Sequence, residues 1–306
     1  MKSPDSYRTA QGFWRAVIEH ARTTAKRDGG TVTAFTSQFV HERFLARIFA
    51  GPGGWVLKGG NAVLARVSDA RTTQDVDLLG RLEDLETVYD ELIAASKVDL
   101  GDHFRFEPAK KVTAGKGEDQ PDVEGLRVTF DAYCGSQKVH SVKVDLVVGS
   151  IMTTDPEESL SQLLEIEGLK PAKILLYPVV DHVADKLCAT QARYGSTRGR
   201  SSRVRDLVDL VVFARTQNIQ GSDLINAIRS EWTVRKLENT PSFDPPLEWR
   251  TQYSSIARGV RACGEFTTFE SAAELVSKLL DPACRGEAAG QRWECSALQW
   301  VAGGPV

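Results

Sequence analysis

Asp75 and Asp77, in the run Thr72-Thr73-Gln74-Asp75-Val76-Asp77-Leu78-Leu79, have the types and spacing that could hold a metal ion. Alternate side chains of a β-strand share a face, so the two carboxylates point the same way, about 7 Å apart along the strand. Mg²⁺ or Mn²⁺ takes oxygen ligands, commonly one or two carboxylates completed by substrate phosphates, and an open Asp-x-Asp suits that better than a closed cage. The same tripeptide also occurs as two solvated acids at a strand end, so the neighbouring residues must decide.

The segment Leu57-Lys58-Gly59-Gly60-Asn61-Ala62 lies just upstream, between the apolar run Trp55-Val56-Leu57 and a helical pattern from Asn61 to Val67. It predicts a strand-to-helix turn whose exposed N–H groups, together with the field of the helix N-terminus, suit a phosphate. Glycine there lets the backbone approach a ligand closely. A third acid follows in Ser141-Val142-Lys143-Val144-Asp145-Leu146-Val147-Val148-Gly149. Its alternation sets Val142, Val144, Leu146 and Val148 on one face and Lys143 and Asp145 on the other, which places Asp145 to join the first two acids. Three carboxylates from two strands can hold two metal ions and activate an attacking hydroxyl. The other reading of Asp145 is a charge on the wet face of an ordinary strand.

Pro178 fits the first turn of a helix from Val179 to Tyr194, with Val180, Val183, Ala184 and Leu187 as its apolar stripe. Lys186 falls outside that stripe, with His182 one turn earlier. It is suited either to a β or γ phosphate or to an ion pair with Asp181 or Asp185. Arg193, Arg198, Arg200, Arg203 and Arg205 then crowd a Gly- and Ser-rich stretch before the next helix, with no acid before Asp206. Such a loop can clamp the phosphates of a triphosphate or of an RNA backbone, or be simply solvated.

Elements must bring these residues together. Tyr7 to Lys26 and Thr31 to Phe49 read as amphipathic helices ahead of the core, the first spaced by Phe13, Trp14, Val17, Ile18 and Ala21. Trp55 to about Gly149 alternates strands and helices, with a helix over Leu82 to Ala95 and strands over Phe104 to Val112 and Leu126 to Tyr133. Thr113 to Val123 predicts an exposed loop. After Asp155 the chain reads as mostly helical: Val179 to Tyr194, Val204 to Ala214, Ser222 to Leu237, Trp249 to Ala262 and Phe269 to Leu280. The Gly-rich tail from Arg285, with Trp293 and Trp300, gives no assignable pattern.

Together these segments resemble the AbiEii family of nucleotidyltransferase toxins, which includes the MenT-type toxins of type IV toxin–antitoxin systems. The resemblance is carried by Lys58-Gly59-Gly60, Arg71 to Leu78, Val144-Asp145-Leu146, Ala184-Asp185-Lys186-Leu187-Cys188-Ala189 and Arg205-Asp206-Leu207-Val208-Asp209-Leu210, from about Val56 to Phe213. It implies that Asp75 and Asp77 bind the catalytic metal, that Lys186 contacts the NTP, and that Asp206 completes the site from a second lobe, where it would orient Lys186 or an arginine. Asn61 stands where the wider superfamily carries a small hydroxyl residue. Thr73, in the strand before the acids, is by the same resemblance a hydroxyl that a partner could phosphorylate.

Composition agrees with an enzyme of this kind. The 306 residues, 42% hydrophobic and 26% charged, suffice for two lobes with a substantial core. No apolar run approaches the length of a membrane span and the polar opening lacks a secretory segment, so no membrane association and a cytoplasmic location are expected. Five scattered cysteines show no disulfide or zinc spacing, and a net charge of −3 argues against coating nucleic acid by bulk charge.

The expected protein is thus α/β (α+β). A nucleotidyltransferase-fold N-terminal lobe with a mixed β-sheet and a helical lead-in, residues 1–152, precedes a mostly helical C-terminal lobe, residues 153–306, that completes the active site. Metal would be held by Asp75, Asp77 and Asp145. Lys58, Gly59, Gly60, Asn61, Thr73, Lys186 and Arg205 would bind nucleotide, and Arg193, Arg198, Arg200 and Arg203 would bind RNA, with catalysis resting on Asp75, Asp77, Asp145, Lys186 and Asp206. The expected reaction is transfer of NMP from an NTP to an acceptor hydroxyl, by resemblance the 3′ end of tRNA, which would arrest growth, with a cognate antitoxin as partner. A small molecule or a protein as acceptor, or a non-catalytic nucleotide-binding partner protein, remain the alternatives.

Overall fold

Two helices open the fold, Ala10–Asp28 (α1) and Val32–Ala50 (α2), each started by a threonine. Thr9 Oγ1 accepts from Gly12 N at 3.1 Å and Thr31 Oγ1 from Ala34 N at 3.1 Å, each satisfying one of the N–H groups that a helix start leaves free. The computed structural model describes residues 2–81, 84–114, 125–161, 166–169, 171–194, 199–238 and 240–303. The predicted loop from Thr113 to Val123 falls outside these residues beyond Ala114, and Thr113 itself belongs to a strand.

The chain then forms strand Trp55–Lys58 (β1), helix Gly59–Arg66 (α3), strand Asp75–Gly80 (β2) and helix Leu85–Ser96 (α4). Three long strands follow: Phe104–Ala114 (β3), Gly125–Cys134 (β4) and Gln137–Val147 (β5). Glu157–Ser161 (β6) and Ala172–Leu176 (β7) complete, among the described residues, a seven-stranded mixed sheet in the order β3-β4-β5-β2-β1-β7-β6. β2 runs parallel to β5 and antiparallel to β1, and β1 runs parallel to β7. The expectation of a largely helical chain after Asp155 omits β6 and β7. Glu157–Ser161 has a single large apolar residue, Leu160, so a reading based on apolar alternation passes over this edge strand.

Period-two alternation gives the sheet two unlike faces. Leu57, Val76, Leu78, Val128, Phe130, Val144 and Leu146 are buried in one core with Phe13, Trp14, Phe39, Phe44 and Leu92 of α1, α2 and α4. The opposite face carries a small apolar cluster of Val56, Leu79 and Tyr177, and beside it Lys58, Asp75, Asp77 and Asp145.

Helix Val179–Gln191 (α5) follows β7, then a two-stranded ribbon of Arg193–Tyr194 (β8) and Gly199–Arg200 (β9), then helix Val204–Thr216 (α6). Ile219–Gln220 (β10), Gly221–Val234 (α7), Arg250–Ala257 (α8) and Phe269–Cys284 (α9) come next. Val183, Leu187, Leu207, Leu210, Val211, Phe213, Leu224, Ile228, Tyr253, Leu275 and Leu279 form a second core, which Val63 and Leu64 of α3 join. The tail that sequence leaves unassigned is a hairpin, Gln291–Glu294 (β11) and Gln299–Ala302 (β12), whose first strand pairs with β10. Trp293 is fully buried and its Nε1 donates to the Ala214 carbonyl of α6 at 2.7 Å. Among the described residues no helix is long and apolar enough to cross a membrane.

Candidate active site

The Gly-Gly turn sits where the sequence places it. β1 ends at Lys58, Gly59 adopts a left-handed φ of +59°, and α3 starts at once. A Cβ on Gly59 would collide with the Asp77 carboxylate, so only glycine admits that acid against the helix start. Asp75 and Asp77 share the open face of β2, and Asp77 lies directly opposite both Lys58 on β1 and Asp145 on β5.

A cavity of about 610 Å³ opens here, within the range of small-molecule sites. Lys58, Gly59, Gly60, Thr73, Asp75, Asp77 and Asp145 line it from the sheet side, and Asp185, Lys186, Arg203, Arg205 and Asp206 from the helical side. Asn61 is placed differently. Its Nδ2 donates to the Asp75 carbonyl at 2.8 Å, and Thr73 Oγ1 reaches the same oxygen at 3.3 Å, so Asn61 holds the start of β2 from behind. Lys58 Nζ lies 3.0 Å from Ser150 Oγ and 4.2 Å from the Tyr177 ring centroid.

Lys186 meets Asp206, the acid expected to orient it, but not Asp181 or Asp185. Its place outside the apolar stripe predicts an exposed side chain, yet it is buried. α6 covers that flank of α5 and supplies its partners, Asp206 Oδ1 at 3.0 Å and Asp209 Oδ2 at 2.6 Å, in place of Asp181 or Asp185. Arg71 Nε and Nη2 grip both oxygens of Asp209 at 2.8 and 2.7 Å, and Arg203 Nε meets Asp206 Oδ2 at 2.7 Å. Burial alone would lower the Lys186 pKa, but the two aspartates outweigh it and raise it, so the ammonium stays charged. His182 is buried against the rings of Tyr177 and Phe213, where burial holds it neutral, and it does not line the cavity.

Arg71, Asp209 and Arg127 receive no site role from the sequence, although Arg71 and Asp209 stand in segments that carry the family resemblance. Asp209 has a readable signal, because its i+3 spacing from Asp206 puts both acids on one side of α6. Arg127 has none short of the strand register. It lies opposite Asp145, and its Nε and Nη2 meet the two carboxylate oxygens at 2.6 and 2.7 Å. Of the RNA-binding candidates, Arg203 borders the cavity, Arg193 and Arg200 are register partners in the β8–β9 ribbon, and Arg198 lies outside the described residues.

Asp75 and Asp77 offer hard oxygen donors beside a glycine turn, a donor set that fits a divalent cation. Asp145 is already engaged by Arg127, and among the described residues no group of three ligating side chains is arranged for a metal. Burial, reinforced by Asp145, pushes the Asp77 pKa up to about 7 against the opposing pull of Lys186 and Lys58. A carboxyl raised in the folded state contributes stability that is complete below its unfolded pKa and is lost as pH rises through about 7. Metal-free protein is therefore expected to lose stability relative to Asp77→Asn between pH 5 and pH 8, and Mg²⁺ is expected to restore it at pH 8 but hardly at pH 5. Thermal melts of both proteins with and without Mg²⁺ check this, and a wild-type–mutant difference flat in pH would refute it.

The family model for the nucleotidyl transferase AbiEii toxin of type IV toxin–antitoxin systems matches residues 43–274, well over half of the chain. The chain belongs to the AbiEii family. This AbiEii protein is similar in fold to MenT4, a nucleotidyltransferase toxin from Mycobacterium tuberculosis, with a TM-score of 0.50 and 16% identity over 89% of this chain and 98% of that one. It also aligns with JHP933 from Helicobacter pylori at a TM-score of 0.42 and 14% identity, over 84% and 97% of the two chains. No curated protein sequence matches it. The mixed α/β architecture expected from sequence is thus the fold of a nucleotidyltransferase toxin, and the AbiEii segment spans both walls of the cavity.

Proposed function

We propose that this AbiEii protein transfers a nucleoside monophosphate from an NTP to an acceptor hydroxyl, releasing pyrophosphate, and that the acceptor is the 3′ end of tRNA. Translation and growth would stop as a result, and a cognate antitoxin would hold the protein in check. The observation that carries the reading is the convergence of Asp75, Asp77, the Gly59–Gly60 turn and Lys186 on one cavity.

Asp75 and Asp77 would hold Mg²⁺ or Mn²⁺, which when bound stabilises charge on the transferring phosphate. The backbone of Gly59 and Gly60 receives phosphate oxygens, with Lys58 and Arg205 on the rim. Lys186 presents a fixed positive charge; Asp206 and Asp209 keep it charged and aimed, so little reorganisation is needed when the triphosphate arrives. Asn61 and Thr73 hold the Asp75 carbonyl and so position its strand.

Incubation with total RNA, Mg²⁺ and each labelled NTP, resolved on a denaturing gel, tests the reaction. A single labelled band of tRNA length supports it, and label on no RNA with any of the four NTPs refutes the RNA acceptor. The basic ribbon supplies a second test. Converting Arg193 and Arg200 to Gln should weaken RNA binding alike across sequences and lower its salt slope by about 0.7 for each phosphate that the ribbon no longer neutralises. NTP affinity should stay unchanged, and an unaltered slope would remove the ribbon from the RNA path.

A further inference from the structure

Asp145, at the register position beside Asp77, is the residue expected to complete a two-metal site, yet both of its oxygens are taken by one guanidinium. Arg127 and Asp145 are cross-strand partners on β4 and β5, so the pair is fixed by the hydrogen-bond ladder. Arg127 borders the same cavity, and about half of its side chain is exposed there.

The charges on this face point in one direction. Asp75, Asp77 and Asp145 bring three carboxyl groups to neighbouring positions; Arg127 engages Asp145, and Lys58 faces Asp77 from β1. Lys186, on the helical side, is paired with Asp206 and Asp209. Asp75 and Asp77 are the two carboxyl groups of this trio that Arg127 does not engage, and one or two carboxylates are what a single divalent ion commonly takes from a protein. A planar fork bound to both oxygens of a carboxylate is also the geometry in which arginine holds an anion most firmly.

We propose that Arg127 takes the place of the second metal ion: the site binds one divalent cation at Asp75 and Asp77, and Arg127, anchored by Asp145, supplies the other positive charge to the triphosphate. Asp145 is then a positioning residue for Arg127 and not a metal ligand. A bidentate pair uses two of the donor directions of a guanidinium that has five N–H groups, which leaves outward N–H groups for phosphate oxygens. This inference rests on the metal site proposed above at Asp75 and Asp77.

Counting Mn²⁺ ions tests it without any turnover. The full-length protein is titrated with Mn²⁺ in the presence of a non-hydrolysable NTP analogue, and bound metal is read by electron paramagnetic resonance. One tight ion per chain is expected in the wild type and still one in Asp145→Asn, with weaker binding of the analogue in that variant because Arg127 loses its anchor. Arg127→Gln frees Asp145, and a second ion is expected to bind there. Two ions in the wild type falling to one in Asp145→Asn would overturn the inference while leaving the metal site at Asp75 and Asp77 intact. Binding that is lost in Asp75→Asn would confirm that site; absence of any bound Mn²⁺ in the wild type would overturn both.

Discussion

Asp75→Ala and Asp77→Ala are each expected to cut nucleotidyl transfer by about 1,000-fold, equivalent to roughly 4 kcal/mol of transition-state stabilisation. Both acids stand on the open face of β2, outside the apolar core formed by Val76 and Leu78, so their removal should leave the fold intact. Asp77 separates the two roles most cleanly. In metal-free protein its carboxyl sits in a site that favours the neutral form, so Asp77→Asn should melt no lower than wild type at pH 8 while remaining inactive. Labelled-NTP transfer beside circular dichroism would show this. Full activity in either alanine variant would sink the assigned site.

Lys186→Ala should damage both stability and activity. On an exposed helix surface such an ion pair would be worth at most about 1 kcal/mol. Here the ammonium is buried between Asp206 and Asp209, and removing it strands two carboxylates, a loss of about 3 kcal/mol. That is the lower end for a broken buried pair, because Arg71 and Arg203 still face the acids. Turnover should fall by roughly 100-fold, as when one preorganised donor is deleted from a site of developing charge. Denaturant midpoints, NTP affinity and transfer rates measured together decide the matter: lower stability with unchanged affinity and rate would make Lys186 purely structural.

Local chemistry explains what sequence could show. The shared face of Asp75 and Asp77 follows from a period of two. The strand-to-helix turn follows from Gly59, whose conformation and contact with Asp77 no other residue tolerates, and two of the helix starts follow from Thr31 and Pro178. What stayed hidden depends on partners far along the chain. Lys186 reads as exposed because nothing near it announces that α6 will cover that flank. Arg127 is unremarkable until β4 is set against β5, and the mostly polar β6 gains its identity only from β7. The basic stretch holds a short ribbon because Arg193 and Arg200 pair across it, a register that composition does not encode.

The terminal hairpin has a practical consequence. Trp293 is seated under the far end of the helix whose near end carries Asp206 and Asp209, and β11 is stitched to β10 just beyond that helix. The family-matched segment stops at residue 274, so a shortened clone designed on that boundary would discard the hairpin. Such a clone would leave the Ala214 carbonyl without its indole donor and open the floor beneath α6. Affinity tags are therefore better placed at the N-terminus, and an inactive trimmed protein should be checked for solubility before its chemistry is blamed.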